Sequence, residues 1–230
     1  MVTSVTFLQQ GLHDEPDRLR SELQCAIDRV EDEGTADAIA LVYGICSRGA
    51  ENITTRKCQL VLTRAHDCIT LLLGSKEAYA DYAARNPGTY WYSLGWNKYA
   101  TMPGPERHEK LKKQYLEKFD EDDVDYLMEM EQIWMKEYSR ATYVDLGVVG
   151  CEVDKKHTKA CADWLGWGFD VQQGDPTLLK DLLAGRWDNE RFLVVGPGQT
   201  FKTTTDASVL RAAACKGCPG AGTSNREAAK

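Results

Sequence analysis

Short apolar runs that end in turn residues alternate along this chain with stretches of helical periodicity, and that alternation confines it to the α/β class. Ala38 to Tyr43 is one such run, ended by Gly44. Leu60 to Leu62 is a second, ended by Thr63 and Arg64, and Phe192 to Val195 a third, stopped by Gly196-Pro197-Gly198. Runs of this kind suit strands covered on both faces, as in parallel sheets. Val2 to Leu8, Tyr90 to Leu94 and Thr142 to Val149 read as further strands. Behind Pro16, Leu19, Leu23, Ile27 and Val30 recur at spacings that share one helical face, so a helix follows the first strand. The tight turns needed for serial hairpins are scarce, and the expected fold is one doubly wound, mostly parallel sheet.

The remaining helices are expected over about 154–165, 176–184 and a long segment of about 105–139 that breaks near Asp120. That segment is basic in its first half and acidic in its second, the pattern of a solvated face, and reads as a helical insertion. With 230 residues, 43% of them hydrophobic, and no internal repeat, the economical division is a single α/β domain over 1–209 and a flexible tail over 210–230. No apolar stretch approaches the roughly 20 residues of a membrane-spanning helix. The first residues lack a secretory pattern, so the expected compartment is the cytoplasm. A net charge of −7 argues against nucleic acid as a partner.

In a parallel α/β sheet, ligands bind beyond the carboxyl ends of the strands. The loops expected there carry His13, Cys46, and His66 with Cys68. In a reducing compartment such cysteines are buried thiols, metal ligands or reactive groups rather than disulfides. Two thiolates and two imidazoles make a tetrahedral zinc set, and His66 and Cys68 face the same side if their segment is extended. Iron, or an iron–sulfur cluster with Cys151 as a further thiolate, uses the same donor chemistry. Read without metal, Gly44 to Gly49 is a strand-to-helix nucleophile turn, with Cys46 as nucleophile, His66 as its base and Asp67 orienting that base. Cys215 and Cys218 form a CxxC in the tail without the second pair of a zinc ribbon. Phosphate-loop, HExxH and GxGxxG motifs are absent.

Gln10-Gly11-Leu12-His13-Asp14, Tyr43-Gly44-Ile45-Cys46-Ser47, Arg64-Ala65-His66-Asp67-Cys68 with its continuation to Gly74-Ser75, and Pro87-Gly88-Thr89-Tyr90 resemble the domain of unknown function 1638 family. So do Tyr126 to Glu131, the stretch from Gly174 to Asp188, and Phe192 to Gly198. The resemblance covers the chain to about Val209. It implies a Rossmann-like domain of anaerobes, associated with corrinoid-dependent methyl transfer. Within the resembling segments Gly44, Arg64, Gly74 and Ser75 are the candidates for contacting a small-molecule ligand. The expected function is a zinc protein of anaerobic methyl-group metabolism, its ion held by His13, Cys46, His66 and Cys68 and activating a thiol. A corrinoid protein or methyltransferase is the expected partner, and self-association is compatible with the sequence. The alternatives are the metal-free Cys46–His66–Asp67 enzyme and a non-enzymatic metal carrier.

Overall fold

A computed structural model describes residues 2–215. In chain order the elements are α1 (Pro16–Glu33), β1 (Ala38–Leu41), β2 (Gln59–Thr63), α2 (Cys68–Leu73), α3 (Lys76–Arg85), β3 (Thr89–Ser93) and α4 (Leu94–Tyr99). They continue with α5 (Pro105–Leu116), α6 (Glu121–Gln132), β4 (Arg140–Asp145), α7 (Cys151–Leu165), β5 (Gly168–Gln173), α8 (Thr177–Leu183), β6 (Phe192–Val195), β7 (Gln199–Thr203) and β8 (Leu210–Ala214). The α/β class holds. The strands form three sheets rather than one. The chain divides into two compact units, one of residues 1–76 with 177–230 and one of residues 77–176.

In the first unit β2 lies between β1, which it pairs in parallel from Ala38↔Gln59 to Leu41↔Leu62, and β6, which it pairs antiparallel from Leu60↔Val195 to Thr63↔Phe192. Leu60 and Leu62 enter a core with Leu19, Leu23 and Ile27 of α1, while Val61 faces Leu71, Leu178, Leu182 and Phe192 on the other side. This is the two-sided burial that a continuous apolar strand requires. Pro16 opens α1, and Gly34 closes it with φ +64. Polar side chains of α1 fix it to the chain ahead of β2: Arg20 donates to Glu51 O, Gln24 exchanges hydrogen bonds with the backbone of Thr54, and Glu31 makes the most. The Glu31 carboxylate, with 0% of its side chain exposed, accepts the backbone N–H of Arg56, Lys57 and Cys58 and the Nε–H of Arg56.

In the second unit β3, β4 and β5 form a wholly parallel sheet, with registers Thr89↔Arg140 and Arg140↔Gly168. Tyr92, Ala141, Tyr143, Cys161 and Ala162 make its core. The expected helical insertion appears as α5 and α6, divided where the Asp120 side chain caps α6 by accepting the N–H of Asp123.

Three sequence expectations are corrected. Residues 2–8 form no strand: they are almost wholly exposed, Phe7 at 90%, and no neighbouring strand pairs with them. The single doubly wound sheet gives way to separate sheets in which β2–β6 and β7–β8 pair antiparallel. The expected tail begins with β8, whose Leu210 is buried at 1% and pairs with Thr203.

Candidate functional site

The site is built where the chain leaving β1 meets the start of α2. Gly44 makes the meeting possible, because a Cβ there would lie 2.2 Å from the carbonyl carbon and 2.5 Å from the carbonyl oxygen of Asp67, and 2.6 Å from the nitrogen of Cys68. Only glycine lets two backbones approach so closely. The N–H of Ile45 donates to Ala65 O at 3.2 Å, and the Tyr43 hydroxyl reaches forward to Cys46 O at 2.7 Å. Beyond Cys46 the backbone turns through two consecutive left-handed residues, Ser47 and Arg48, each with φ 55. Left-handed non-glycine residues are uncommon and cluster at ligand and catalytic sites. On the other side Asp67, in an extended conformation, caps α2 by accepting the N–H and the hydroxyl of Thr70 at 3.0 and 3.3 Å.

The result is a pair of thiols. The two side chains act on each other, and the backbone N–H of Cys68 acts on the Cys46 sulfur as well. The Cys68 thiol lowers the pKa of Cys46 to about 6; burial opposes this, the Cys68 N–H assists, the Asp67 carboxylate opposes and the charge of His13 assists. Cys68 moves upward because its proton is held against the Cys46 sulfur and because it is buried. Both directions favour the negative charge on Cys46 and the proton on Cys68. Tyr43 lies beside both thiols; burial raises its pKa, and a hydrogen bond with Ser47 partly offsets this.

The structure thus brings Cys46 and Cys68 together and places His13 near enough to act on Cys46 electrostatically. His13 sits in a 3-10 turn, Leu12–Asp14, with 53% of its side chain exposed and Nε2 3.4 Å from Asp14. His66 is exposed, and no hydrogen bond joins it to another described residue. The Asp67 carboxylate faces Thr70 rather than orienting a histidine. Among the described residues no three His, Cys, Asp or Glu side chains are grouped so as to hold a metal ion.

The expected ligand contacts have other duties. Gly44 is filled by the backbone of Asp67 and Cys68. The Arg64 guanidinium donates to four carbonyls, those of Asn189, Phe192, Ser208 and Leu210, and ties β2 to the segments that precede β6 and β8. Gly74 closes α2 with φ +83, and Ser75 follows it into α3. Cys151 begins α7 in the second unit, where burial and the Asp145 carboxylate raise its pKa. Cys215 follows β8, and Cys218 lies outside the described residues. The sequence reading missed Tyr43 and Ser47, whose only signal is their position at the end of the first strand.

Asp67 provides a discriminating test. Asn caps helices as well as Asp does, so Asp67→Asn should leave stability within about 0.5 kcal/mol while removing a negative charge from beside Cys46. The midpoint of the pH profile for Cys46 alkylation should then move below the wild-type value. A triad in which Asp67 supports a histidine base expects slower alkylation instead.

A family model described as Protein of unknown function (DUF1638) matches residues 7–183. No curated protein and no solved structure gives a significant match.

Proposed function

Because the chain belongs to the DUF1638 family, whose description names no activity, its chemistry has to be read from the site, and we propose that it is a thiolate-centred protein in which Cys46 does the chemistry. The observation that carries this is the close approach of Gly44 to the backbone of Asp67 and Cys68, which sets Cys46 beside the start of α2, where Cys68 acts on it. A thiolate is the nucleophilic and metal-binding form of cysteine. With its pKa lowered to about 6, Cys46 gives up its proton more readily than an ordinary cysteine. Cys68 is the proton-bearing partner, Tyr43 and Ser47 hold the turn, and Asp67 fixes the start of α2. On this reading the protein acts on an electrophile, and a cytoplasmic setting, which keeps thiols reduced, belongs to the same proposal.

The test is the rate of iodoacetamide alkylation at Cys46 against pH, read by peptide mass mapping. The expected profile rises with a midpoint near pH 6 and moves up in Cys68→Ser, whereas the exposed Cys25 serves as the ordinary thiol in the same sample. A Cys46 midpoint of about 8.5, that of a free cysteine, would overturn the reading.

A second reading is favoured by one observation, the electrostatic action of His13 on Cys46 beside a pair of soft sulfur donors. Cys46, Cys68, His13 and His66 would be the ligands of a zinc ion, with both exposed histidines turning inward; iron would take the same donors. Such an ion holds a substrate thiol as thiolate, which suits methyl exchange with a corrinoid delivered by a partner protein. Elemental analysis of anaerobically purified protein separates the readings. Metal that is present in wild type and Cys25→Ser, and lost from Cys46→Ser, Cys68→Ser and His13→Ala, favours the metal centre. The Rossmann-like description is retained in this proposal for the second unit, where α7 links the parallel strands β4 and β5. Among the described residues no helix is long and apolar enough to cross a membrane.

A further inference from the structure

Two cysteines on backbone segments that are packed against each other have a reaction open to them that a single thiolate lacks. Cys46 and Cys68 come from segments 22 residues apart that are fixed independently, one by the Tyr43 and Ile45 hydrogen bonds and the other by the capped start of α2. The Gly44 contact sets the two backbones against each other, so the two cysteines lie on adjoining segments that are already in place. The other described cysteines differ. Cys58 donates to Ala36 O at 2.9 Å, Cys161 faces His157 Nε2 at 3.6 Å, and Cys25 is exposed on α1.

We infer that Cys46 and Cys68 form a dithiol that exchanges with low-molecular-weight disulfides, Cys46 attacking and Cys68 resolving. The inference rests on Cys46 being the reactive thiol and adds a substrate class and a second actor. In the first step the Cys46 thiolate attacks one sulfur of the disulfide; a Cys46–sulfur bond forms, the substrate S–S bond breaks, and one half leaves as a thiolate with the bonding electrons. In the second step Cys68 gives up its proton and attacks the Cys46 sulfur. The Cys46–Cys68 disulfide forms, the mixed disulfide breaks, and the second half leaves with that bonding pair and takes the proton. The protein loses two electrons and the substrate gains two. A dithiol reductant reverses the sequence, and while the pair is oxidised Cys46 is unavailable as a nucleophile.

The experiment uses the full chain, reduced and then treated with glutathione disulfide, with products mapped by peptide mass spectrometry so that a 46–68 bond is distinguished from any other among the eight cysteines. Wild type should give the 46–68 disulfide and no stable adduct. Cys68→Ser and Cys68→Ala should both stop at a glutathione adduct on Cys46, and Cys46→Ser should give neither product. Circular dichroism of each variant establishes that it is folded, and the two replacements at Cys68 guard against an effect of either new side chain. A wild-type adduct on Cys46 that persists as in the Cys68 variants, or no 46–68 bond in folded wild type, would overturn the inference. Iodoacetamide run in parallel separates the two claims. Fast alkylation of Cys46 without a 46–68 disulfide leaves the thiolate reading standing and removes the exchange reaction, while alkylation of Cys46 no faster than of Cys25 removes both.

Discussion

Gly44→Ala should be the most damaging single-methyl substitution in the first unit, lowering stability by about 3 kcal/mol, the upper part of the usual range for overpacking. The new Cβ would lie 2.2 Å from the carbonyl carbon of Asp67, and its neighbours there are backbone atoms, which cannot rotate away as a side chain can. Relief requires the turn after β1 to part from the start of α2, and that is the contact on which Cys46 depends for the Cys68 N–H and thiol. Chemical denaturation and Cys46 alkylation at pH 7 should therefore fail together, the alkylation rate falling about tenfold as the pKa returns toward that of an ordinary thiol. A variant with wild-type stability and wild-type alkylation would show that the close approach does not hold the pair.

Glu31→Gln is the second large effect, with an expected loss of about 3 kcal/mol, or roughly 6–12 °C in melting temperature for a chain of this size. The wild-type carboxylate is buried with four hydrogen-bond donors directed at it, three of them backbone N–H groups. An amide of the same shape turns an NH2 toward some of those donors and leaves them unpaired. Burial alone would raise the Glu31 pKa, but the N–H groups of Cys58, Lys57 and Arg56 and the Arg56 guanidinium outweigh it and lower the pKa. The sign of the pH dependence follows. A carboxylate favoured by the fold contributes fully above the ordinary glutamate range, and the contribution is lost as pH falls through the depressed folded value. Wild type should lose stability on acidification through and below about pH 4, and Glu31→Gln should be flatter over that window in urea midpoints measured from pH 7 to pH 3. Parallel wild-type and variant curves would remove Glu31 as the source.

The elements legible in the sequence were those whose apolar pattern is decided by burial. The stripe of Leu19, Leu23 and Ile27 on α1, the apolar runs of β1, β2 and β6, and the break at Asp120 all reflect side chains that the fold covers or caps. β5, Gly168–Gln173, was not read as a strand because it is a polar, half-exposed edge whose register comes from its neighbour β4. β7 and β8 likewise owe their form to pairing with each other. Val2 to Leu8 has strand-forming residues but no partner. At the site, what the sequence offered was the position of Cys46 and Cys68 after β1 and β2, which pair in parallel. The part played by His66 was not legible, since it depends on where α2 begins. The helix starts at Cys68, after an extended Asp67, and the change of backbone between His66 and Cys68 ends the alternation that would have aligned them.

The order of segments in the first unit has a consequence for how the protein is made. Both thiols have been synthesised by residue 68, yet the strand that completes their sheet, Phe192–Val195, follows the entire second unit. Until it emerges, β2 can pair only with β1, and its other edge, carrying Leu60 to Thr63, is a template for any strand that reaches it first. The second unit is continuous in sequence and can fold on the ribosome as soon as it is complete, whereas the first waits on contacts between residues more than a hundred positions apart. The cysteine pair thus precedes the closure of its own scaffold, and in the interval between the two the open edge of β2 is the part of the first unit most exposed to mispairing.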